Sequence, residues 1–135
     1  MPDKVKKSWK YKSTIPKPTE AELAILEVLW RLGSSTVRDV LDEFRKDRDV
    51  GYTTVLKMLQ IMTQKGLVDR DESVRSHLYR ARYEMEQTQE IMVKDLIERA
   101  FSGSVLQLIL RALSVKRLSK KEIEELKDSL DKMNG

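Results

Sequence analysis

The order of helix and strand patterns between residues 18 and 82 constrains the fold more than any other feature of this sequence. A capping box opens the first helix pattern, because Thr19 and Glu22 can each bind a backbone N–H at a helix start. Gly33 is a typical residue to end that helix. The apolar residues in between recur at helical spacing. They are Leu23, Leu26, Leu29 and Trp30.

Two further helix patterns follow. Thr36 and Asp39 form a second capping pattern, and a third helix is predicted from Tyr52 to Lys65. We expect Thr53 or Thr54 to cap this third helix. Each of the two helices has one apolar stripe that would face a core. The stripes are Val37, Val40, Leu41 and Phe44 in the second helix and Val55, Leu59 and Met62 in the third.

Two short strand patterns complete this region. They lie at residues 67–70 and 76–80 and flank a polar stretch at 71–75. Three helices followed by a hairpin form the element order of the winged helix-turn-helix, whose third helix enters the major groove of DNA. The predicted fold is therefore mostly α with a small β-hairpin, whose loop is the wing.

The sequence from residue 83 onward is predicted to be helical throughout. One helix runs to about Phe101, and the segment 105–113 is apolar on nearly all sides. So few helices cannot cover that surface, whereas a symmetric dimer can. Packing of 105–113 against the winged helix of a monomer is the alternative. The residues expected at the dimer contact are Leu96, Phe101, Leu106, Ile109, Leu110, Leu113, Ile123 and Leu126.

The first 17 residues contain six lysines and one aspartate and sustain no helical or strand period. We predict a flexible basic arm, and whether it follows DNA phosphates stays open. The net charge of +4 is compatible with a polyanionic partner and equally with an ordinary mixed surface. The predicted domains are the arm at 1–17, a winged-helix domain at 18–82 and a helical dimerisation domain at 83–135.

The composition excludes several classes of function. The chain has no cysteine and one histidine, which leaves no recognisable metal site. No nucleophile–base set or glycine-rich phosphate loop is visible, so we predict neither an enzyme nor a cofactor. No apolar run approaches the roughly 20 residues of a membrane span, which predicts a cytoplasmic protein without membrane insertion.

Several stretches of the sequence carry a family resemblance, namely PTEAELAILEVLW at 18–30, YTTVLKML at 52–59, KGLV at 65–68, RSHLY at 75–79 and LSKKEIEEL at 118–126. In these stretches and their order, the sequence resembles the BlaI/MecI penicillinase-repressor family. The resemblance implies a dimeric repressor of a resistance or stress operon that binds an inverted repeat with TACA/TGTA-like half-sites. It also implies a possible sensor protease that ends repression by cleavage in the dimerisation segment. Ala100 and Phe101 flank the corresponding bond, where the family has Asn before Phe.

The third helix and the wing supply the candidate contacts to double-stranded operator DNA. Threonine can touch a thymine methyl or a phosphate, glutamine can pair with adenine, and lysine or arginine can reach a phosphate. Two departures from the family stand out. Ile61 replaces a frequent arginine, and Val74 replaces a glycine, so the wing turn should differ. The candidate DNA-binding residues are Tyr52, Thr53, Thr54, Lys57, Gln60 and Arg75.

A second hypothesis is a winged-helix module that binds a partner protein without sequence-specific DNA binding. Residues 23–30 and the apolar helix at 105–113 would form its binding surfaces. Ile61, in the place of the family's arginine, favours this alternative. The two hypotheses differ in one observable, which is preference for one DNA sequence over another.

Overall fold

The computed structural model describes residues 15–135, so nearly all of the predicted basic arm lies outside the described residues. The described chain forms three helices, an antiparallel hairpin and three more helices, which is the predicted order of elements. The first five of these elements form a winged helix. The elements are α1 (Glu20–Leu32), α2 (Val37–Phe44), α3 (Tyr52–Lys65), β1 (Val68–Asp71), β2 (Leu78–Ala81), α4 (Met85–Ala100), α5 (Val105–Val115) and α6 (Lys120–Asn134).

Capping boxes begin α1 and α2, as the sequence predicted, and a third one begins α6. In α1 the Thr19 hydroxyl accepts from the Glu22 N–H at 3.2 Å, and the Glu22 carboxylate accepts from the Thr19 N–H at 2.8 Å. Such reciprocal bonds satisfy N–H groups that have no partner inside the helix. The same pairs of bonds join Thr36 with Asp39 and Ser119 with Glu122.

The core lies among α1, α2, α3 and the hairpin. The predicted stripes of α2 and α3 are fully or nearly fully buried, which confirms their helical period. Helix α1 differs from expectation, because Ile25 is fully buried whereas Leu23 and Trp30 are only half-buried. The reason is that α1 contacts α2 and also β2, so it buries a wider surface than one stripe. The core residues are Ile25, Leu26, Val28, Leu29, Val37, Val40, Leu41, Phe44, Val55, Leu59, Met62, Leu67, Val68 and Tyr79.

The hairpin is fixed to the connection between α1 and α2. The N–H of Ser35 donates to the Tyr79 carbonyl at 2.9 Å, and the Tyr79 N–H donates to the Ser35 carbonyl at 2.8 Å. Strand pairing ends where Asp71 meets Leu78, so the wing spans residues 72–77. His77 therefore belongs to the wing and not to the strand in which the sequence pattern placed it.

The described chain divides into two compact units, with the boundary between Val93 and Lys94. The first unit therefore extends past residue 82, where the winged-helix domain was predicted to end. The indole N–H of Trp30 donates to the Tyr83 carbonyl at 3.0 Å, and the side chain of Thr88 is buried. These two features explain why the beginning of α4 belongs with the winged helix.

The second unit contains the end of α4 together with α5 and α6. Neither α5 nor α6 contains a buried residue. The predicted break after Phe101 is present, and Ser102 and Gly103 both take positive φ there, at 50° and 84°. The N–H of Gly103 donates to the Ile97 carbonyl at 3.0 Å and closes the end of α4. Across residues 15–135, no helix is long and apolar enough to cross a membrane.

Candidate nucleic-acid interface

Helix α3 is held by its inner face and presents its outer face to solvent. Val55, Leu59 and Met62 are fully buried in the core, so the helix cannot rotate without opening the core. The five candidate DNA-binding residues on α3 are all exposed. They are Tyr52, Thr53, Thr54, Lys57 and Gln60. Four of them lie away from the buried stripe, whereas Tyr52 is in line with that stripe and is exposed because it begins the helix.

The first turn of α3 carries no side-chain cap. The N-cap residue is Gly51, with φ −104° and ψ 170°, and it makes no side-chain cap hydrogen bond. The expectation that Thr53 or Thr54 caps the helix is therefore wrong, because both already lie inside its first turn. The N–H groups at this helix start thus remain available to an external acceptor, and their partial positive charge favours an anion.

A side-chain turn shapes the wing. The Asp71 carboxylate accepts from the Ser73 hydroxyl at 2.6 Å and from the Ser73 N–H at 2.9 Å. These bonds, the hydroxyl bond above all, lower the pKa of Asp71. Val74 does not take a positive φ, so the wing has no need of glycine there. Arg75 follows in the wing and is exposed.

A groove of about 340 Å³ lies between the start of α2, the start of α3 and the wing. It brings Tyr52 and Arg75 together, whereas the other four candidate DNA-binding residues lie on α3 outside its lining. We call it the α2–α3–wing groove. Its lining residues are Thr36, Val37, Arg38, Tyr52, Leu56, Arg75, Ser76, His77 and Tyr79.

Arg38 is a residue of this groove that the sequence analysis did not select. Its guanidinium carbon lies 5.8 Å from the centroid of the Tyr52 ring, which is within cation–π range. The sequence signal was only a basic residue on the polar face of α2. That signal does not distinguish a groove-lining arginine from one on an ordinary solvated face.

Three basic side chains on this side of the molecule lack a carboxylate partner. Within residues 15–135, Arg38, Lys57 and Arg75 form no ion pair. Several basic groups elsewhere in the first unit are paired, and Arg82, for example, contacts Asp69 at 2.8 Å. That hydrogen bond, with the charge of Asp69, raises the pKa of Arg82. Other arginines of the first unit also lack an ion pair within the described residues, so unpaired positive charge is present on the outer face of α3, in the wing and in the groove but is not confined to them.

Over the described range, no group of three or more His, Cys, Asp or Glu side chains is placed to hold a metal ion. His77, the single histidine of the chain, lines the α2–α3–wing groove beside basic residues. Beside two aliphatic side chains, the groove thus presents basic, aromatic and hydroxyl groups, and its basic groups suit an anionic partner.

Comparison with known proteins agrees with this architecture. The family described as penicillinase repressor matches residues 18–132. The penicillinase repressor of Bacillus licheniformis is 26% identical over 117 residues, covering 87% of this chain and 91% of that protein. The methicillin resistance regulatory protein MecI of Mammaliicoccus sciuri is 24% identical over 114 residues, covering 84% and 93%.

One similar solved structure is the solution structure of the Bacillus licheniformis BlaI monomeric form in complex with the blaP half-operator. It covers 54% of this chain and 89% of that chain, with 25% sequence identity and a TM-score of 0.48. The match to the family extends from the residue before the first capping box to the last turn of α6. The chain belongs to the penicillinase repressor family.

Proposed function

We propose that this protein is a cytoplasmic transcriptional repressor that binds, as a dimer, to an inverted-repeat DNA operator. The observation that carries the proposal is the exposed outer face of α3, which lies beside basic groups that have no carboxylate partner within residues 15–135. The similarity of most of the chain to proteins named as repressors, and to a BlaI solved with a half-operator, supports it. Neutralisation of DNA phosphates would supply much of the affinity.

The exposed residues of α3 match the chemistry of an A/T-rich half-site. The methyl groups of Thr53 and Thr54 can contact thymine methyls, and their hydroxyls can bind phosphates. Gln60 can form two hydrogen bonds with adenine, and Lys57 can reach a base edge or a phosphate. Arg75 in the wing can lie along the backbone or in the minor groove. We assign the base contacts to the outer side chains of α3 and the backbone contacts to the N–H groups of its first turn and to the wing.

An inverted repeat requires two reading heads related by a twofold axis, so the proposal includes a dimer. The apolar side chains of the second unit supply a surface for it. Leu106 is 61% exposed, and burial of such a side chain stabilises by about 1.5–3 kcal/mol. Among the predicted dimer residues, three are half-buried, namely Phe101, Ile109 and Leu126, and five are exposed, namely Leu96, Leu106, Leu110, Leu113 and Ile123.

Release of repression by a sensor protease is the final part of the proposal. The candidate bond between Ala100 and Phe101 lies at the last turn of α4. The N–H of Phe101 donates to the Ile97 carbonyl at 3.1 Å, so this turn is hydrogen-bonded. A protease binds its substrate in an extended form. Cleavage at this bond would therefore require the last turn of α4 to unwind first.

The test is fluorescence-anisotropy binding to a TACA/TGTA inverted repeat and to a scrambled duplex over a series of salt concentrations. We expect much tighter binding to the repeat, with one dimer per site. Thr54→Ala should weaken binding to the repeat more than to the scrambled duplex. Thr63→Ala, the same change near the other end of α3, should leave the ratio unchanged, since its hydroxyl bonds to the Leu59 carbonyl at 2.7 Å.

Equal binding of both duplexes would favour the alternative, a winged-helix module that binds a protein partner. One of the two binding surfaces proposed for that module, residues 23–30, is largely buried in the core. Within residues 23–30, Ile25, Leu26, Val28 and Leu29 are buried in the core and cannot contact a partner. Of the two surfaces, such a partner could then bind only the apolar helix at 105–113.

A further inference from the structure

We propose that the α2–α3–wing groove binds one phosphate of the DNA backbone, and that Arg38 of α2 is the residue that holds it. This inference rests on the proposed function and adds a contact from a second helix. Arg38 would fix the position of α3 on the DNA without reading a base. Arg75 would face the same phosphate from the wing.

The position of the groove is the first reason to place a DNA phosphate there. The start of α2, the start of α3 and the wing all border the groove, so a ligand in it contacts all three. The outer residues of α3 lie next to the groove and not in it, which separates base-reading side chains from groove-lining ones. A strand of DNA whose bases meet α3 would therefore place its backbone near the groove.

The charge of the residues that line the groove is the second reason. The described lining contains Arg38, Arg75 and His77 but no aspartate or glutamate. The acidic residue next to Arg38, Asp39, already accepts a hydrogen bond of 3.0 Å from the Thr36 N–H in the capping box of α2. An anion in the groove therefore meets two guanidinium groups that have no carboxylate partner, and guanidinium geometry suits a phosphate.

The limited conformational freedom of the Arg38 side chain is the third reason. A long side chain in solvent loses conformational freedom when it binds, which weakens the contact it makes. The Tyr52 ring limits that loss for Arg38, because the guanidinium carbon lies 5.8 Å from the ring centroid. Tyr52 is 45% exposed and lines the groove, so its ring can support Arg38 there. Tyr52 is thus a positioning residue for Arg38.

The experiment compares the full-length chain with its Arg38→Gln variant on the inverted repeat and on the scrambled duplex. We expect about tenfold weaker binding to both duplexes, with the slope of log affinity against log salt reduced by about 1. Arg31→Gln is the matched control. It removes the same charge from an exposed arginine that contacts Glu43 at 3.4 Å, outside the groove. The control should change neither the affinity nor the slope by a comparable amount.

A second arm locates the phosphate. One phosphate of the repeat at a time is replaced by an uncharged methylphosphonate, and each duplex is measured with both proteins. At one position in each half-site, the substitution should weaken the original protein but not the Arg38→Gln variant. Tyr52→Leu should also lose affinity, and the loss should not add to that of Arg38→Gln.

Each outcome decides something different. If Arg31→Gln and Arg38→Gln behave alike, or if no methylphosphonate position couples to Arg38, the groove does not hold a phosphate and the inference is wrong. If the chain does not prefer the repeat, the proposed repressor function fails, while the effect of Arg38 is still measured on the scrambled duplex. If neither duplex binds, both are wrong.

Discussion

The carboxylate of Glu22 in α1 accepts a hydrogen bond of 2.7 Å from the ammonium group of Lys65, the last residue of α3. Burial raises the pKa of Glu22. The Lys65 hydrogen bond, the Thr19 N–H and the Lys65 charge together lower this pKa by more than burial raises it, so the net shift is downward. The side chain of Glu22 is only 8% exposed. This ion pair therefore fixes the far end of α3, the helix to which we assign the base contacts, against α1.

Glu22→Gln should destabilise the chain by about 1–2 kcal/mol at pH 7, measured by urea unfolding. Glutamine keeps the capping box with Thr19 but loses the charge that Lys65 contacts. The folded pKa of Glu22 lies below its ordinary value of 4.5. The stabilisation is thus fully present above that value and is lost as the pH falls through the folded pKa.

The difference between the two proteins should therefore shrink as the pH is lowered from 7 to about 3. Glu27→Gln, on the exposed side of the same helix, is the control and should cost less than about 0.5 kcal/mol. A difference for Glu22→Gln that stays the same at low pH would show that shape, and not charge, causes the loss.

Gly51→Ser should stabilise the protein and weaken its binding to DNA. Gly51 is the N-cap of α3, has φ −104°, and has no atom within 4 Å of the position where a Cβ would stand. A serine hydroxyl there would accept from the N–H of Thr53 or Thr54 and stabilise by a few tenths of a kcal/mol. It would also occupy an N–H that we assign to a DNA phosphate.

Thermal unfolding and anisotropy binding measured on the same preparations test this pair of effects. Gly51→Ala is the control, since it adds a Cβ without adding an acceptor, and it should leave DNA binding nearly unchanged. An increase in stability without loss of DNA affinity would mean that the start of α3 does not contact a phosphate.

Much of the fold could be predicted because it depends on local patterns. The capping box at Thr36 and the stripe from Val37 to Phe44 are complete within one helix, and the structure confirms both. The Ser35–Tyr79 bridge and the Glu22–Lys65 ion pair could not be predicted, because they join residues more than 40 positions apart. No local period indicates which distant element a side chain will meet.

The candidate interface also contains residues that local patterns predict and residues that they do not. The outer residues of α3 follow from its inner stripe, since one face of a helix determines the other. Arg38 could not be selected, because its role depends on how α2, α3 and the wing are arranged around it. The absence of a side-chain cap at Gly51 also escaped the sequence analysis, since Thr53 and Thr54 are suitable cap residues but lie two and three positions after the N-cap.

Two glycines with similar φ should respond differently to alanine. Gly33 has φ 82° and ψ −158°, a region that only glycine occupies readily, whereas Gly66 has φ 83° and ψ 18° in the left-handed helical region. A Cβ on Gly33 would meet nothing within 4 Å, whereas one on Gly66 would lie 2.9 Å from Nη1 of Arg82. The Arg82 side chain is flexible at that end and can move.

We therefore expect Gly33→Ala to cost about 2–3 kcal/mol and Gly66→Ala about 1–2 kcal/mol in urea unfolding. Gly33→Ala should cost more because its backbone conformation is harder for alanine to adopt. Crowding alone would make Gly66→Ala the more costly substitution. Gly66→Asn should be milder than Gly66→Ala, because asparagine tolerates the left-handed region. A larger loss for Gly66→Ala than for Gly33→Ala would mean that the contact with Arg82 outweighs the backbone conformation.

Leu106→Glu should shift the protein from dimer to monomer, measured by sedimentation velocity over a range of concentrations. A charge at the centre of an apolar contact is costly to bury, while in the monomer the same side chain remains in water. Gln107→Glu is the matched control, because it adds the same charge at a neighbouring exposed position of α5 that is not among the predicted dimer residues. It should leave the sedimentation coefficient unchanged.

The same variant separates dimerisation from DNA reading. The winged helix has its own buried core, so Leu106→Glu should still bind a single half-site with the affinity of the original protein. On the complete inverted repeat it should lose the gain that comes from joining two reading heads. If Leu106→Glu stays dimeric, the contact lies elsewhere on the chain. If it also loses half-site binding, the second unit contributes to DNA contact directly and the assignment of the base contacts to α3 alone is wrong.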